Sequence, residues 1–238
     1  MLFRSAAGDS FERGLQLALQ VVLVSPEFVF RLEPDSQEAN APLVRTINDW
    51  ELATRLSYFL WSSLPDEELF QLAASGSLRQ GDNLRGQVLR MLKDPKSSAL
   101  VENFAAQWLN LRLLRTINPD KRRFPGFDDQ LRQDMEQETR LFFESVMRED
   151  RSIFDLLDSN DTFLNERLAK HYQIPEVTGD EFRRVTLTNT QRGGVLSHAS
   201  ILTVTSNPTR TSPVKRGKWV LENIFNAPPP PPPPTFPS

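Results

Sequence analysis

The stretch "FDDQLRQDMEQETRLFFESVMRED", residues 127–150, decides the fold. Leu131, Met135, Phe142 and Val146 recur at steps of four and seven, the spacing that places side chains on one face of a helix. The segment therefore predicts a long amphipathic helix. One residue on that face is out of character. Glu138 stands three residues after Met135 and four before Phe142, inside the apolar stripe. A carboxylate on a core face needs a partner or a raised pKa. Two readings stay open: a catalytic acid or base, or a buried structural pair with Arg55 or Arg112 on neighbouring helices.

Helical periodicity continues outward on both sides. "KSSALVENFAAQWLNLRLL" (96–114) is apolar on more than one face and predicts a central helix packed on several sides. "TINDWELATRLSYFLWSSLPDEELFQLAASGSL" (46–78) predicts two helices. Asn48 with Glu51 forms a capping box, Leu52, Leu56, Phe59 and Leu60 form the buried stripe, and Asp66, Glu67 and Glu68 open the second helix. Further helices are expected over 9–26, capped by Asp9 or Ser10, and over 83–95, with two short ones in 152–174. Strand signals are few: "FRRVTLT" (182–188), with room for one partner strand. After the glycine turn Gly193–Gly194, a helix is favoured at the start of "VLSHASILTVT". The fold class is mainly α: a helical bundle with a small C-terminal loop-helix unit and a minor strand pair. The expected division is 1–33, the end of an upstream helical domain; 46–174, a complete helical domain; 186–227, the start of a third; and 228–238, a polyproline linker. Seven consecutive prolines, 228–234, would reach roughly 22 Å as a stiff spacer.

Charge is unevenly spread. The chain has 238 residues and a net charge of −3. Residues 186–238 hold Arg192, Arg210, Lys215, Arg216 and Lys218 against Glu222, which is +4, so the remainder carries −7. The acidic whole argues against nucleic-acid binding, and the basic end points to a local site for an anion or an acidic partner. Ser212 and Pro213 read as the N-cap and first residue of a helix running to about Phe225. Lys215 and Arg216 in its first turn oppose the helix dipole by roughly 0.3–1 kcal/mol each if exposed and unpaired. An anion held by Arg192, Arg210, Ser212, Lys215 and Arg216 would make sense of that placement. The anion is an internal carboxylate docking the two units, a haem propionate, or an acidic group on a polysaccharide.

Other chemistry is sparse. The absence of cysteine excludes thiolate catalysis, disulfides and covalent haem attachment within these residues. The longest apolar run, "LALQVVLV" (17–24), is too short to span a bilayer, and the N-terminal residues lack a signal-peptide core. His198 is a base, a metal ligand or a core donor; His171 lies near a helix end. No paired-histidine metal motif, nucleophile elbow or phosphate-binding glycine loop occurs, so no metal site is expected. The tryptophans lie on helical stripes, with Trp61 beside "SSLP" the best exposed candidate for a sugar platform.

Four strings, "RLSYFLWSSLPDEELFQLA", "LVENFAAQWLNLR", "ETRLFFESVMREDRSIFDLLDSNDTFLNERLAKHY" and "RGGVLSHASILTVTSNPTRTSPVKRGKWVLENIFNAPPPPPP", resemble a multi-domain planctomycete-type family. In that family a cytochrome c-like (haem c) domain is accompanied by several domains of unknown function. The resemblance covers nearly the whole chain. It implies a periplasmic or secreted home and haem c domains of the parent protein as partners, with no reaction assigned. In the family the proline run leads to a haem-attachment motif; here the chain reads as an internal fragment, with no cofactor of its own and haem c in the full-length protein. The expectation is a helical scaffold or binding domain of an exported, cytochrome c-associated protein, with a basic site for an anionic polysaccharide or carboxylate. The competing expectation is part of a polysaccharide-acting hydrolase or oxidoreductase that uses Glu138 as acid/base, with His198 as the second catalytic candidate.

Overall fold

A computed structural model describes residues 10–30, 45–188 and 192–230. Asp9, residues 31–44 and most of the proline run lie outside the described residues. The architecture is mainly α, with one two-stranded antiparallel sheet among the described residues.

The first helices are α1 (Phe11–Val24) and α2 (Pro26–Val29). Ser10 caps α1, its Oγ accepting from the Arg13 amide at 3.3 Å, and neither helix buries a residue. The body begins with α3 (Asp49–Trp61), α4 (Glu67–Ala74) and α5 (Asn83–Lys93). Both halves of the Asn48–Glu51 capping box form, and Asp66 caps α4. Leu60, Leu69, Met91 and Leu100 fill the core between these helices. The buried stripe of α3 is Ala53, Ser57, Leu60 and Trp61, rotated from the expected one. Phe59 is instead 54% exposed and lies edge-on to Phe104, with centroids 5.5 Å apart. Trp61 is no surface platform: it is buried, and its indole N–H donates to the Met91 carbonyl at 3.0 Å.

The expected central helix over 96–114 is helical from a 3-10 turn (Pro95–Ser97) through α6 (Ser98–Leu100), a π turn (Val101–Ala105) and α7 (Ala106–Trp108), and resumes as a 3-10 turn (Leu111–Arg115). Asn110, in left-handed conformation at φ 58°, makes the one break in this segment. Buried Val101, Ala105, Leu109, Leu111 and Leu114 still place the segment centrally.

The long helix is α8 (Asp129–Arg148). Leu131, Met135, Phe142 and Val146 are all buried, as their spacing required. Then come α9 (Asp155–Asp158), strand β1 (Asp161–Leu164), α10 (Glu166–Tyr172) and strand β2 (Arg183–Thr186). In the sheet Asp161 pairs with Thr186 and Leu164 with Arg183. Arg151 fixes the entrance to β1 with two bonds to Asp161, at 2.9 and 3.1 Å, and one to Ser159 at 2.8 Å. Burial pushes the Asp161 carboxyl up, but the bonds from Arg151 and Ser159 prevail and hold it below the usual carboxylate range.

The C-terminal segment, with a 3-10 turn (Val195–Ser197), α11 (Ala199–Val204), α12 (Pro213–Trp219) and a π turn (Val220–Ile224), shares the cores of the body. Ile201 and Trp219 pack with Leu109 and Phe142; Ala199 packs with Met135 and Leu168. The Trp108 indole donates to the Asn223 carbonyl at 2.7 Å and ties the last turn to α7. Gly194 is what lets the segment enter. At φ +54°, a Cβ on it would lie 2.4 Å from the Leu157 carbonyl carbon, so the chain passes where only glycine fits.

Candidate functional site

Two adjoining cavities lie on the seam between the body and the C-terminal segment. Tyr172 and Arg192 line both.

The inner one is a closed polar cluster with no room for a water molecule. Glu138 lies here, 1% exposed. Its partners are neither Arg55 nor Arg112. Thr162 on β1 donates to Oε1 at 2.7 Å, and the Tyr172 hydroxyl at the end of α10 donates to Oε2. Tyr172 in turn accepts from the Ala199 amide at 2.7 Å. Three elements thus converge on one carboxyl. Burial raises its pKa from 4.5 to about 7, against the opposing pull of the Tyr172 and Thr162 bonds and the Arg192 charge.

His198 lies beside it, 2% exposed. Its Nδ1 is 3.0 Å from Thr139 Oγ1, which is 2.6 Å from Ser200 Oγ. Its Nε2 is 3.5 Å from Thr162 Oγ1 and 4.0 Å from Glu138 Oε1. The ring meets Phe142 edge to face, with centroids 5.1 Å apart. Burial first, and the Arg192 charge second, lower its pKa from 6.5 to about 3, so the imidazole is neutral. Ser200, Thr139, His198, Thr162 and Glu138 thus form one continuous line of hydrogen-bonding side chains in the interior. Both polar faces of Glu138 are occupied by protein groups. The Glu138–His198 pair is sealed inside the protein, where it meets no substrate in this conformation.

The outer cavity is an open cleft of about 460 Å³, within the range of small-molecule sites. Its apolar wall comes from the loop before α8 (Phe124, Phe127), from α8 itself (Leu131, Met135) and from Leu202 on α11. Three of the expected cations line it: Arg192, Arg210 and Arg216. No aspartate or glutamate lines it among the described residues, and none of the three arginines has an ion pair there. The internal salt bridge allowed by the sequence does not form among the described residues. Neutral groups hold the arginines instead. Arg192 Nη1 donates to the Ser197 carbonyl at 2.9 Å, and its guanidinium lies 4.0 Å above the Tyr172 ring. Arg216 donates to Thr205 Oγ1 at 3.3 Å and Thr211 Oγ1 at 3.2 Å. Arg210 is exposed on a tight loop, where the Asn207 amide donates to its carbonyl at 2.9 Å.

The rest of the expected cluster is dispersed. Ser212 is a cap, its Oγ accepting from the Lys215 amide at 3.3 Å. Lys215 is exposed and does not line the cleft. The helix runs from Pro213 through the π turn to Ile224, the extent that the sequence predicted. His171, which sequence reasoning left at a helix end, lines the cleft, and burial pushes its pKa down. The wall residues Phe124 and Phe127 were not singled out from sequence. They sit in a loop without periodicity, and only the fold turns them toward the arginines. No group of three or more metal-ligating side chains occurs among the described residues, and no helix there is long and apolar enough to cross a membrane.

Comparison with known proteins adds identity without a reaction. No curated protein and no solved structure matches the chain. The model of PSCyt3, protein of unknown function (DUF1588), matches residues 192–238. Arg192, His198, Arg210 and Arg216 therefore come from that segment, and Glu138, Thr162 and Tyr172 from the one before it. That preceding segment, residues 47–174, matches the model of PSD4, protein of unknown function (DUF1592), across more than half of the chain, and the chain belongs to that family.

Proposed function

We propose that this chain is a helical binding module whose seam cleft takes up an anionic group. The observation that carries the reading is the cleft itself: three arginines without acidic partners among the described residues, facing one cavity. Like charges gathered around one cavity repel one another, and a bound anion relieves that repulsion. Arginine forks suit carboxylate, sulfate and phosphate oxygens. The anion is a carboxylate or an acidic group of a polysaccharide. The resemblance and the PSCyt3 name support a setting in an exported, cytochrome c-associated protein, periplasmic or secreted, with haem c domains of the parent as neighbours.

The reading as a hydrolase or oxidoreductase module stands second. It needs Glu138 to reach substrate, and Glu138 is sealed behind Tyr172.

Thermal unfolding in phosphate and in chloride of equal ionic strength tests the first reading. Phosphate should raise the Tm of the native chain, and Arg210→Gln with Arg216→Gln should remove that rise while leaving the Tm in chloride nearly unchanged. Equal Tm values in both salts contradict it. A drop in Tm on losing the arginines, with no salt specificity, would assign them to internal docking.

A further inference from the structure

We infer that the ligand of the seam cleft is a compact amphiphilic carboxylic acid, its head held by Arg210 and Arg216 and its body lying on the wall made by Phe124, Phe127, Met135 and Leu202. The inference rests on the anion-binding reading above and narrows it to a substrate class.

Three observations carry it. First, the cations and the apolar wall belong to one cavity, and all of the wall but Leu202 comes from the opposite side of the seam. The arginines lie at 192–216, while Phe124 to Met135 precede and begin α8. A fully polar anion would leave that wall wet. A neutral apolar ligand would leave the arginines uncompensated. Only a molecule with both parts satisfies both sides. Second, the arginines keep free donors. Arg210 makes no side-chain hydrogen bond among the described residues, and Arg216 commits Nε and Nη2 but not Nη1. Arg192 is occupied by Tyr172 and Ser197, so it contributes charge more than grip. Two partly free forks suit one planar head better than several spread charges. Third, the lining mixes methionine and aromatic rings, surfaces that adapt to a flat or short-chain apolar body. A long polysaccharide would need an extended polar groove, and the cleft, about 460 Å³, is walled mainly by apolar groups.

The test is isothermal titration of the native chain with three probes: 3-phenylpropionate, propionate and 3-phenylpropanamide. Phenylpropionate should bind at least about tenfold tighter than propionate, and the neutral amide at least about tenfold more weakly than phenylpropionate. Arg210→Gln with Arg216→Gln should reduce phenylpropionate binding to the level of the amide, with the circular dichroism spectrum unchanged. Phe124→Ser, at a half-exposed loop position, should weaken phenylpropionate and leave propionate unaffected. Equal binding of phenylpropionate, propionate and phosphate would overturn this inference and leave the anion site standing. Equal binding of the acid and its amide would overturn both, as would the absence of binding by all probes and phosphate.

Discussion

The guanidinium of Arg192 lies 4.0 Å above the ring of Tyr172, while the hydroxyl of the same tyrosine donates to buried Glu138. One side chain therefore forms the wall between an open basic cleft and a closed polar cluster. Its ring faces a cation in the cleft, a cation–π contact, and its oxygen satisfies a carboxyl that water does not reach. The arginine and the carboxyl come from segments matched by different family models, so the wall exists only when the two are folded together.

The closed cluster gives stability a defined pH dependence. Glu138 has a folded pKa raised from 4.5 to about 7. Between those values the native state holds a proton that the unfolded state has lost. Its contribution is full below about pH 4.5 and is lost as pH rises through about 7. His198, lowered from 6.5 to about 3, acts in the opposite sense. Its contribution is present above about pH 6.5 and is lost as pH falls toward 3. The two slopes oppose each other from about pH 4.5 to 6.5. Glu138→Gln removes one of them. Urea midpoints at about pH 5 and pH 8 should show the variant gaining on the native chain as pH rises. Parallel curves would mean that Glu138 does not titrate as its burial demands.

Tyr172→Phe keeps the ring under Arg192 and deletes the oxygen. Glu138 loses a donor and the Ala199 amide loses its acceptor, both in the interior. The expected loss is about 3 kcal/mol in urea unfolding. Anion affinity should change less than about threefold, because the cleft face of the ring stays in place. A large loss of affinity with unchanged stability would reverse the roles assigned to the two faces.

Glycine positions separate constraint from permissiveness. Gly194→Ala places a methyl group 2.4 Å from the Leu157 carbonyl carbon at a positive φ, and it should cost more than about 3 kcal/mol or prevent folding. Gly217→Ala, inside α12 with nothing within 4 Å of the new methyl, should stabilise by about 0.5–1 kcal/mol. Thermal or urea unfolding of the pair decides the point. A tolerated Gly194→Ala would show that the 192–197 turn does not thread where it is described.

The anchor of the last turn is Trp108. Trp108→Phe keeps the aromatic body but deletes the 2.7 Å bond to the Asn223 carbonyl. The expected cost is about 1 kcal/mol, with faster proteolysis at the C-terminal turn than in the body. Uniform protection by limited proteolysis would argue that the indole bond contributes little.

Local chemistry was legible in the sequence wherever a period or a cap carried it. The α8 stripe with its misplaced Glu138, the Asn48–Glu51 box, the Ser212 cap and the partner-seeking strand at 182–188 all read directly. Long-range geometry was not. The strand partner Asp161–Leu164 is four residues long, too short for alternation to show. The break in 96–114 depends on a left-handed Asn110, which apolar spacing does not encode. Glu138 was visible as needing a partner, but its partners are two hydroxyls from other elements rather than the arginines that charge alone suggested. The arginines were visible as a basic end; the fold sorts them, drawing Arg192, Arg210 and Arg216 into the cleft and leaving Lys215 outside.

Side-chain NMR of the arginine Nε–H groups tests the central claim most directly. With phenylpropionate or phosphate added, the Arg210 and Arg216 resonances should shift in a saturable way, with a smaller shift at Arg192, while arginines paired with acids such as Arg90 and Arg151 stay unmoved. Uniform small shifts across all arginines, or none at Arg210 and Arg216, would contradict a seam site for an anion.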